Sequence, residues 1–331
     1  MMGPASVVRD GIDDVRSVAR GWRWGRRPLV PRSAEAFVPE VEKAVFPTAW
    51  SRKRPARVLR EVAQKGGLEP VFRSQVRTHV EGLDNLARVE GPVIFTAPHA
   101  SHLDTPLILL SLPAQWRRRT AVAAAADYFF DTWWRAVGSA VFFNTLPIER
   151  RGGAIATTPG DVLAEGWSLV IFPEGTRSKD GWMGRFRMGA AWLAVEHGVP
   201  IVPIAHRGTF AAMPRGAGWP SRLPAETRRS GPGRRLMSSH TRGRRQLTIR
   251  FGEPLHAAPD EQVGDFANRV KDAVATLLDE ERTTWWESRL RAGVGTTPDP
   301  GGPDVAAWRR VWAQTESPTV HAQPRRAWRS P

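Results

Sequence analysis

"PVIFTAPHASHLDTPLIL", residues 92–109, runs from an apolar segment into a short polar turn and back into apolar text. Val93 to Ala97 is a short greasy run with β-branched residues, the form of a strand buried on both faces. Pro98 stops it, His99, Ser101, His102 and Asp104 make the turn, and Leu107, Ile108 and Leu109 resume the apolar text. A strand–turn–helix is expected here. Open α/β sheets build their sites beyond the carboxyl ends of strands, so two histidines and an aspartate at this turn are candidates for chemistry.

The same alternation extends outward. Strands are expected at 93–97, 119–125, 168–173, 200–205 and 246–252, with helical stretches between most of them. Val263, Phe266, Val270, Val274, Leu277 and Leu278 recur at helical spacing and mark a helix packed on the sheet. The fold class that follows is α/β, with a mostly parallel central sheet covered by helices on both faces. Upstream, in "FPTAWSRKRPARVLREVAQKGG" (46–67), Pro55 suits a first helical position and Gly66–Gly67 a stop. Val58, Leu59 and Val62 share one face there, surrounded by Trp50, Arg52, Lys53, Arg54, Arg57 and Arg60. Such a helix either lies in a bilayer interface or presents a solvated basic face while packing on a core.

These readings divide the chain into a flexible basic arm (1–35), a catalytic domain (36–290) and a Pro-, Gly- and Arg-rich tail (291–331). Within the domain, interfacial helices occupy about 36–68 and the α/β core about 70–285. A basic loop spans 207–246, with ten arginines against one acid, Glu226. That loop is assigned to anionic lipid or to substrate phosphates, or is merely solvated.

Composition narrows the chemistry. The 331 residues are 41% hydrophobic, enough for a sizeable core. Cysteine is absent, which removes disulfides, thiolate nucleophiles and cysteine-ligated metals. No apolar run reaches the roughly 18–20 residues of a membrane-spanning helix, and the N-terminus lacks a signal-peptide core. A net charge of +15 beside 15 tryptophans leans toward a membrane surface, since basic residues attract anionic headgroups and tryptophan favours the interface. Nucleic acid is not expected as a partner. The basic 207–246 stretch holds only Phe210 and Trp219 as aromatics to stack on bases.

Two pairs share the His-x4-Asp spacing, His99/Asp104 and His79/Asp84. Context separates them, because His99 follows a buried-type strand whereas His79 lies in polar text. An aspartate folded back on a histidine accepts one imidazole N–H and leaves the other nitrogen to take a proton. No Gly-x-Ser-x-Gly elbow is present and Ser101 is poorly spaced to be a nucleophile, so a substrate hydroxyl is the better proton donor. A second strand ends in "FPEGTRS" (172–178), where Gly175 allows close approach and Arg177 can hold an oxyanion. A third element, "FFNTLPIERRGG", ends on Arg150 and Arg151, and a fourth, "GVPIVPIAHRGT", reads as a rigid wall.

In order and spacing these four elements resemble the motif blocks of the glycerolipid acyltransferases of the lysophosphatidic acid and glycerol-3-phosphate type. "HASHLD" (99–104), "PIER" (147–150), "FPEGTRS" (172–178) and "VPIVP" (199–203) carry the resemblance, over about residues 72–282. Many members have asparagine just before the histidine, where this chain has Pro98. The resemblance implies that His99 is the general base and Asp104 its orienter. It also implies that Arg150 and Arg177 hold the acceptor phosphate, with Glu174, Gly175 and Thr176 forming the turn beside them. The co-substrate would be an acyl-CoA or acyl carrier protein, with no cofactor and no metal. The acceptor would be a lysophosphatidic acid-type hydroxyl, with glycerol-3-phosphate, another lysophospholipid or a glycolipid as alternatives. A peripheral protein on an anionic membrane, at the cytoplasmic face, is the expected setting. Outside this class stand a thioester hydrolase and a basic membrane-binding module without chemistry.

Overall fold

Seven strands form one sheet in the order β1-β7-β6-β2-β5-β3-β4. The structure, a computed structural model, describes residues 48–125, 133–148, 158–222 and 243–315. The basic arm 1–35, Arg150, and the end of the tail lie outside the described residues. In chain order the elements are α1 (Arg54–Ala63), α2 (Glu69–Gln75), β1 (Val76–Glu81), β2 (Ile94–Thr96), α3 (Asp104–Ser111) and α4 (Ala114–Arg117). There follow β3 (Thr120–Ala125), α5 (Trp133–Phe143), β4 (Thr145–Ile148), α6 (Pro159–Ala164), β5 (Ser168–Ile171) and α7 (Gly189–His197). The last are β6 (Ile201–Arg207), α8 (Thr209–Ala212), β7 (Arg245–Phe251), α9 (Val263–Glu280), α10 (Trp285–Gly293) and α11 (Ala307–Thr315).

All strand pairs are parallel except β6 with β7, which places β1 and β7 opposite to the other five. Neighbouring residues on the central strands face opposite cores. Phe95, Val170 and Val202 join Leu107, Ile108 and Phe251 on one side, and Ile94, Leu169 and Ile201 join Leu163, Leu193 and Phe266 on the other. Burial on both faces is why these strands are apolar without alternation. The two faces are covered by α3 on one side and by α6, α7 and α9 on the other. The sheet is therefore the α/β arrangement expected, with β1 and β4 added at its edges.

Four expectations need correction. Gly66–Gly67 do not stop the first helix, because a π-helical turn (Gln64–Leu68) carries the chain from α1 into α2. Nor do all the cations around α1 face outward. Arg60 is buried and donates to the carbonyl oxygens of Ala140 (2.9 Å), Val141 (3.0 Å) and Ser51 (2.8 Å), while Arg52 pairs with Glu165 at 3.2 Å. Arg60 thus satisfies the Val141 carbonyl near the end of α5 and adds a second donor to that of Ala140, which already accepts the Asn144 N–H. Val58, Leu59 and Val62 remain exposed, as an apolar face without a partner among the described residues. The stretch 207–246 is not one loop: Arg207 closes β6, Phe210 is buried in α8 and Arg245 opens β7, leaving 223–242 outside the described residues.

The tail is more than linker. Through Thr315 its first three residues end α10, α11 follows as one short helix, and the segment docks on the loop after the "FPEGTRS" turn. Arg310 donates to Asp180 (2.6 Å) and to the carbonyl oxygens of Gly301 and Pro303 (2.7 Å each), and its own carbonyl accepts from the Trp182 indole at 3.1 Å. Among the described residues no helix is long and apolar enough to cross a membrane.

Candidate active site

The parallel strands β6, β2 and β5 are neighbours at the centre of the sheet, so their carboxyl ends deliver three turns to one place. From β2 comes His99, from β5 Phe172 and Glu174, and from the end of β6 His206.

His99 Nδ1 lies 2.9 Å from Asp104 Oδ2. The same oxygen accepts the backbone N–H groups of Ala100 and Ser101 at 2.8 Å each, so the turn wraps the carboxylate and fixes its direction. Asp104 is fully buried. Burial alone would raise its pKa, but the His206 and His99 imidazoles and the Ser101 amide outweigh it and hold the group below the ordinary value. An ionised acceptor at Oδ2 draws the proton to Nδ1 and leaves Nε2 of His99 to receive one from a substrate. The ring is also held flat, stacked on Phe172 at 4.1 Å between centroids and 18° between planes.

Glu174 ties this turn to the next. Its Oε1 accepts the backbone N–H of His99 and its Oε2 that of Gly184, both at 2.9 Å. A Cβ on Gly184 would stand 2.8 Å from Oε2, so only glycine lets the carboxylate come that close. Burial pushes Glu174 up to about 7, against the two amides that favour its charged form. Ser178 N–H closes the arrangement on His99 O at 2.7 Å.

At the glutamate turn, Gly175 has φ +71°, a left-handed conformation that suits glycine. The Arg187 guanidinium packs over it, 3.2 Å from where a Cβ would be. Thr176 is exposed and Arg177 half-buried on the same turn. His102 is not part of the His–Asp pair. Burial, then the charge of Arg177, lowers it to about 4, so it is neutral at physiological pH.

With that geometry in place, comparison gives a match between residues 77–207 and the family model described as Acyltransferase. Over these residues the chain is similar to the acyltransferase family. The match holds all four sequence elements, from β1 to the end of β6. A chloroplastic 1-acyl-sn-glycerol-3-phosphate acyltransferase of Brassica napus is 32% identical over 146 residues, covering 43% of this chain and 40% of its own length. A 1-acyl-sn-glycerol-3-phosphate acyltransferase of Pseudomonas aeruginosa is 29% identical over 133 residues, covering 40% and 49% respectively. The chain spans about two fifths of the length of the plant relatives it matches. The crystal structure of the 1-acyl-sn-glycerophosphate (LPA) acyltransferase from Thermotoga maritima aligns with TM-score 0.49 and 22% identity, over 71% of this chain and 83% of that one.

The fold brings together His99, Asp104, Glu174, Gly175, Thr176 and Arg177 at adjacent strand ends. It keeps His79 apart from Asp84. His79 instead bonds Glu81 at 2.7 Å on β1, an edge strand. Sequence reading missed His206, whose Nε2 lies 2.8 Å from Pro98 O and 3.7 Å from Asp104 Oδ1. The fourth element is thus more than a wall. The signal was a histidine one residue past an apolar strand core in "VPIVPIAHR". Phe172, Gly184 and Arg187 were also missed. Their roles depend on stacking and packing, which residue type alone does not announce.

Proposed function

We propose that this protein transfers a fatty acyl group from acyl-CoA or acyl carrier protein to the free hydroxyl of a lysophosphatidic acid-type acceptor. What carries the reading is the His99–Asp104 pair, wrapped by its own turn and tied through Glu174 to a second turn bearing Arg177. The matched family supports it, and so do the printed names of the relatives.

In this reading His99 Nε2 removes the acceptor hydroxyl proton as the oxygen attacks the thioester carbonyl. Asp104 steadies the imidazolium that forms. The tetrahedral intermediate collapses with cleavage of the carbon–sulfur bond, and His99 returns the proton to the departing thiolate. A thioester has a good leaving group, so no acyl-enzyme is required. Arg177, with Arg150 outside the described residues, grips the acceptor phosphate, and Gly175 and Thr176 shape the turn that presents it. Each charge-assisted contact is worth about 1.5–3 kcal/mol. The protein works peripherally at the cytoplasmic face of the cell membrane, a setting supported by the exposed apolar face of α1 beside Lys53 and Arg54.

Purified protein incubated with labelled acyl-CoA and a panel of lyso-acceptors tests the reading. Ester formation on lysophosphatidic acid, lost in His99→Ala, is expected. Release of free fatty acid without ester product would replace it with a hydrolase.

A further inference from the structure

A cleft with about 660 Å³ of empty space, its open mouth included, lies beside the His99 turn and is lined by residues other than Arg177. Its lining includes Pro98, Ala100 and Phe210, and the C-terminal segment contributes Pro300. Arg207, the last residue of β6, and Arg282, just after α9, face the same space.

The charge balance in this cleft is unusual. Arg207 Nε is buried and has no hydrogen-bond partner. Arg282 stacks over the Trp182 ring at 5.3 Å from its centroid and makes no ion pair among the described residues. The carboxylates nearby are already engaged: Glu280 and Glu281 pair with Arg250 at 3.2 and 3.3 Å, and Asp279 pairs with Arg291 at 3.1 Å. Asp299 also lines the cleft, but its Oδ1 accepts the backbone N–H of Gly301 at 2.8 Å. Among the described residues, two guanidinium groups therefore share one cavity without an ion pair, although Glu281 acts on Arg207 from a distance and the Asp299 carboxylate lines the same space. Burying a cation without a counter-charge is costly, and a second cation beside it adds to the cost. Arg207 responds accordingly: burial first, and the charge of Arg282 next, pull it down to about 10, against an opposing pull from Glu281. A bound anion would relieve both effects at once.

We propose that Arg207 and Arg282 form a phosphate-binding site in this cleft, distinct from the turn that carries Arg177. Guanidinium groups favour phosphate because their fixed N–H donors match its oxygens. Pro98 and Ala100 flank His99 in sequence, so the cleft backs directly on the catalytic turn. A phosphate held there belongs either to a soluble nucleotide-bearing ligand or to a lipid headgroup. The site stands or falls on binding, independently of whether acyl transfer is the activity.

Isothermal titration calorimetry at low ionic strength on the full chain tests it. All variants carry Arg177→Gln, so that the proposed acceptor turn does not contribute. Inorganic phosphate, adenosine 3′,5′-bisphosphate and a monomeric short-chain phosphatidic acid are the probes. Saturable one-to-one binding of at least one phosphate probe is expected. Adding Arg207→Met or Arg282→Gln should weaken it by about tenfold or more, the loss of one charge-assisted contact. Tightest binding of the bisphosphate would assign the site to a nucleotide ligand, and of the phosphatidic acid to a lipid headgroup. Arg282 is exposed, so its substitution reports on binding even where Arg207→Met fails to fold. No saturable binding by any probe, or unchanged affinity in Arg282→Gln, overturns the proposal.

Discussion

The Glu174 carboxylate accepts the backbone N–H of His99 at 2.9 Å, joining the catalytic turn after β2 to the glutamate turn after β5. Its other oxygen holds Gly184. The glutamate is thus a strut between two loops rather than a second base, and its burial makes it sensitive to pH.

Glu174→Gln should make the difference in stability between wild type and variant depend on pH. The folded pKa of about 7 lies above the ordinary 4.5, so between those values the folded chain keeps a proton that the unfolded chain has lost. The Glu174 contribution to stability therefore falls as pH rises through that window and levels off above it, while His102, held at about 4, contributes in the opposite sense up to its ordinary 6.5. The size of the effect is on the order of 1–3 kcal/mol. Asp104, whose pKa is lowered, acts only below about 4 and does not confuse the comparison. Denaturant unfolding of both proteins from pH 5 to 8 measures it, and parallel curves would remove Glu174 as the cause.

His99→Ala should cut acyl transfer by about 10²–10⁴ or more with the fold intact, and Asp104→Asn should cause a loss of similar order. Asparagine at 104 can offer its amide to Nδ1, which favours the wrong tautomer. His79→Ala has the same spacing to an aspartate but sits exposed on edge strand β1, and should leave activity unchanged. Equal losses from His79→Ala and His99→Ala, with unaltered circular dichroism, would refute the assignment.

Much of this was legible in the sequence because strands buried on both faces leave uninterrupted apolar runs. β2, β3, β5, β6 and β7 were placed within two residues of where they lie. The missed strands are edge pieces: β1 is mostly exposed and reads as polar text, and β4 has four residues. The His99–Asp104 pair was legible because both members come from one turn. His206 was not, since its approach to Pro98 O depends on β6 pairing beside β2, a contact spanning 108 residues. The docked tail escaped for a similar reason. Glycine and proline between residues 293 and 303 look like linker, and contacts distant in sequence, Met183 N–H on Pro300 O and Arg310 on Asp180, make that segment part of the domain.

Arg310→Ala should loosen the loop 178–184. The substitution removes the Asp180 pair and two carbonyl contacts, a destabilisation of about 1–3 kcal/mol. Hydrogen exchange should speed up in 178–184 and 298–315 and not in the central strands. Because Ser178 and Gly184 of this loop bond His99 O and Glu174, acceptor KM should rise more than kcat falls. Unchanged exchange in both segments would show that the tail is not what holds the loop.

The exposed face of α1 should set membrane attachment together with charge. Val58, Leu59 and Val62 have no partner among the described residues, and Lys53 and Arg54 stand exposed at the start of the helix. Partial insertion of three apolar side chains is worth about 1 kcal/mol each, less than full burial would give. Each basic residue near an anionic surface adds about 1 kcal/mol. Converting all three to serine should therefore weaken binding to anionic vesicles by tenfold or more, while leaving acyl transfer to a soluble short-chain acceptor intact. The charge contribution should fade with salt, as the screening length drops from about 10 Å at 0.1 M to about 3 Å at 1 M. Arg52 and Arg60 are engaged inside the domain, so replacing them should lower stability without this salt signature. Sedimentation with anionic and neutral vesicles across that salt range measures both terms. Binding equal on the two lipids and insensitive to salt would dismiss the charge, and binding unaffected by the triple serine variant would dismiss the face.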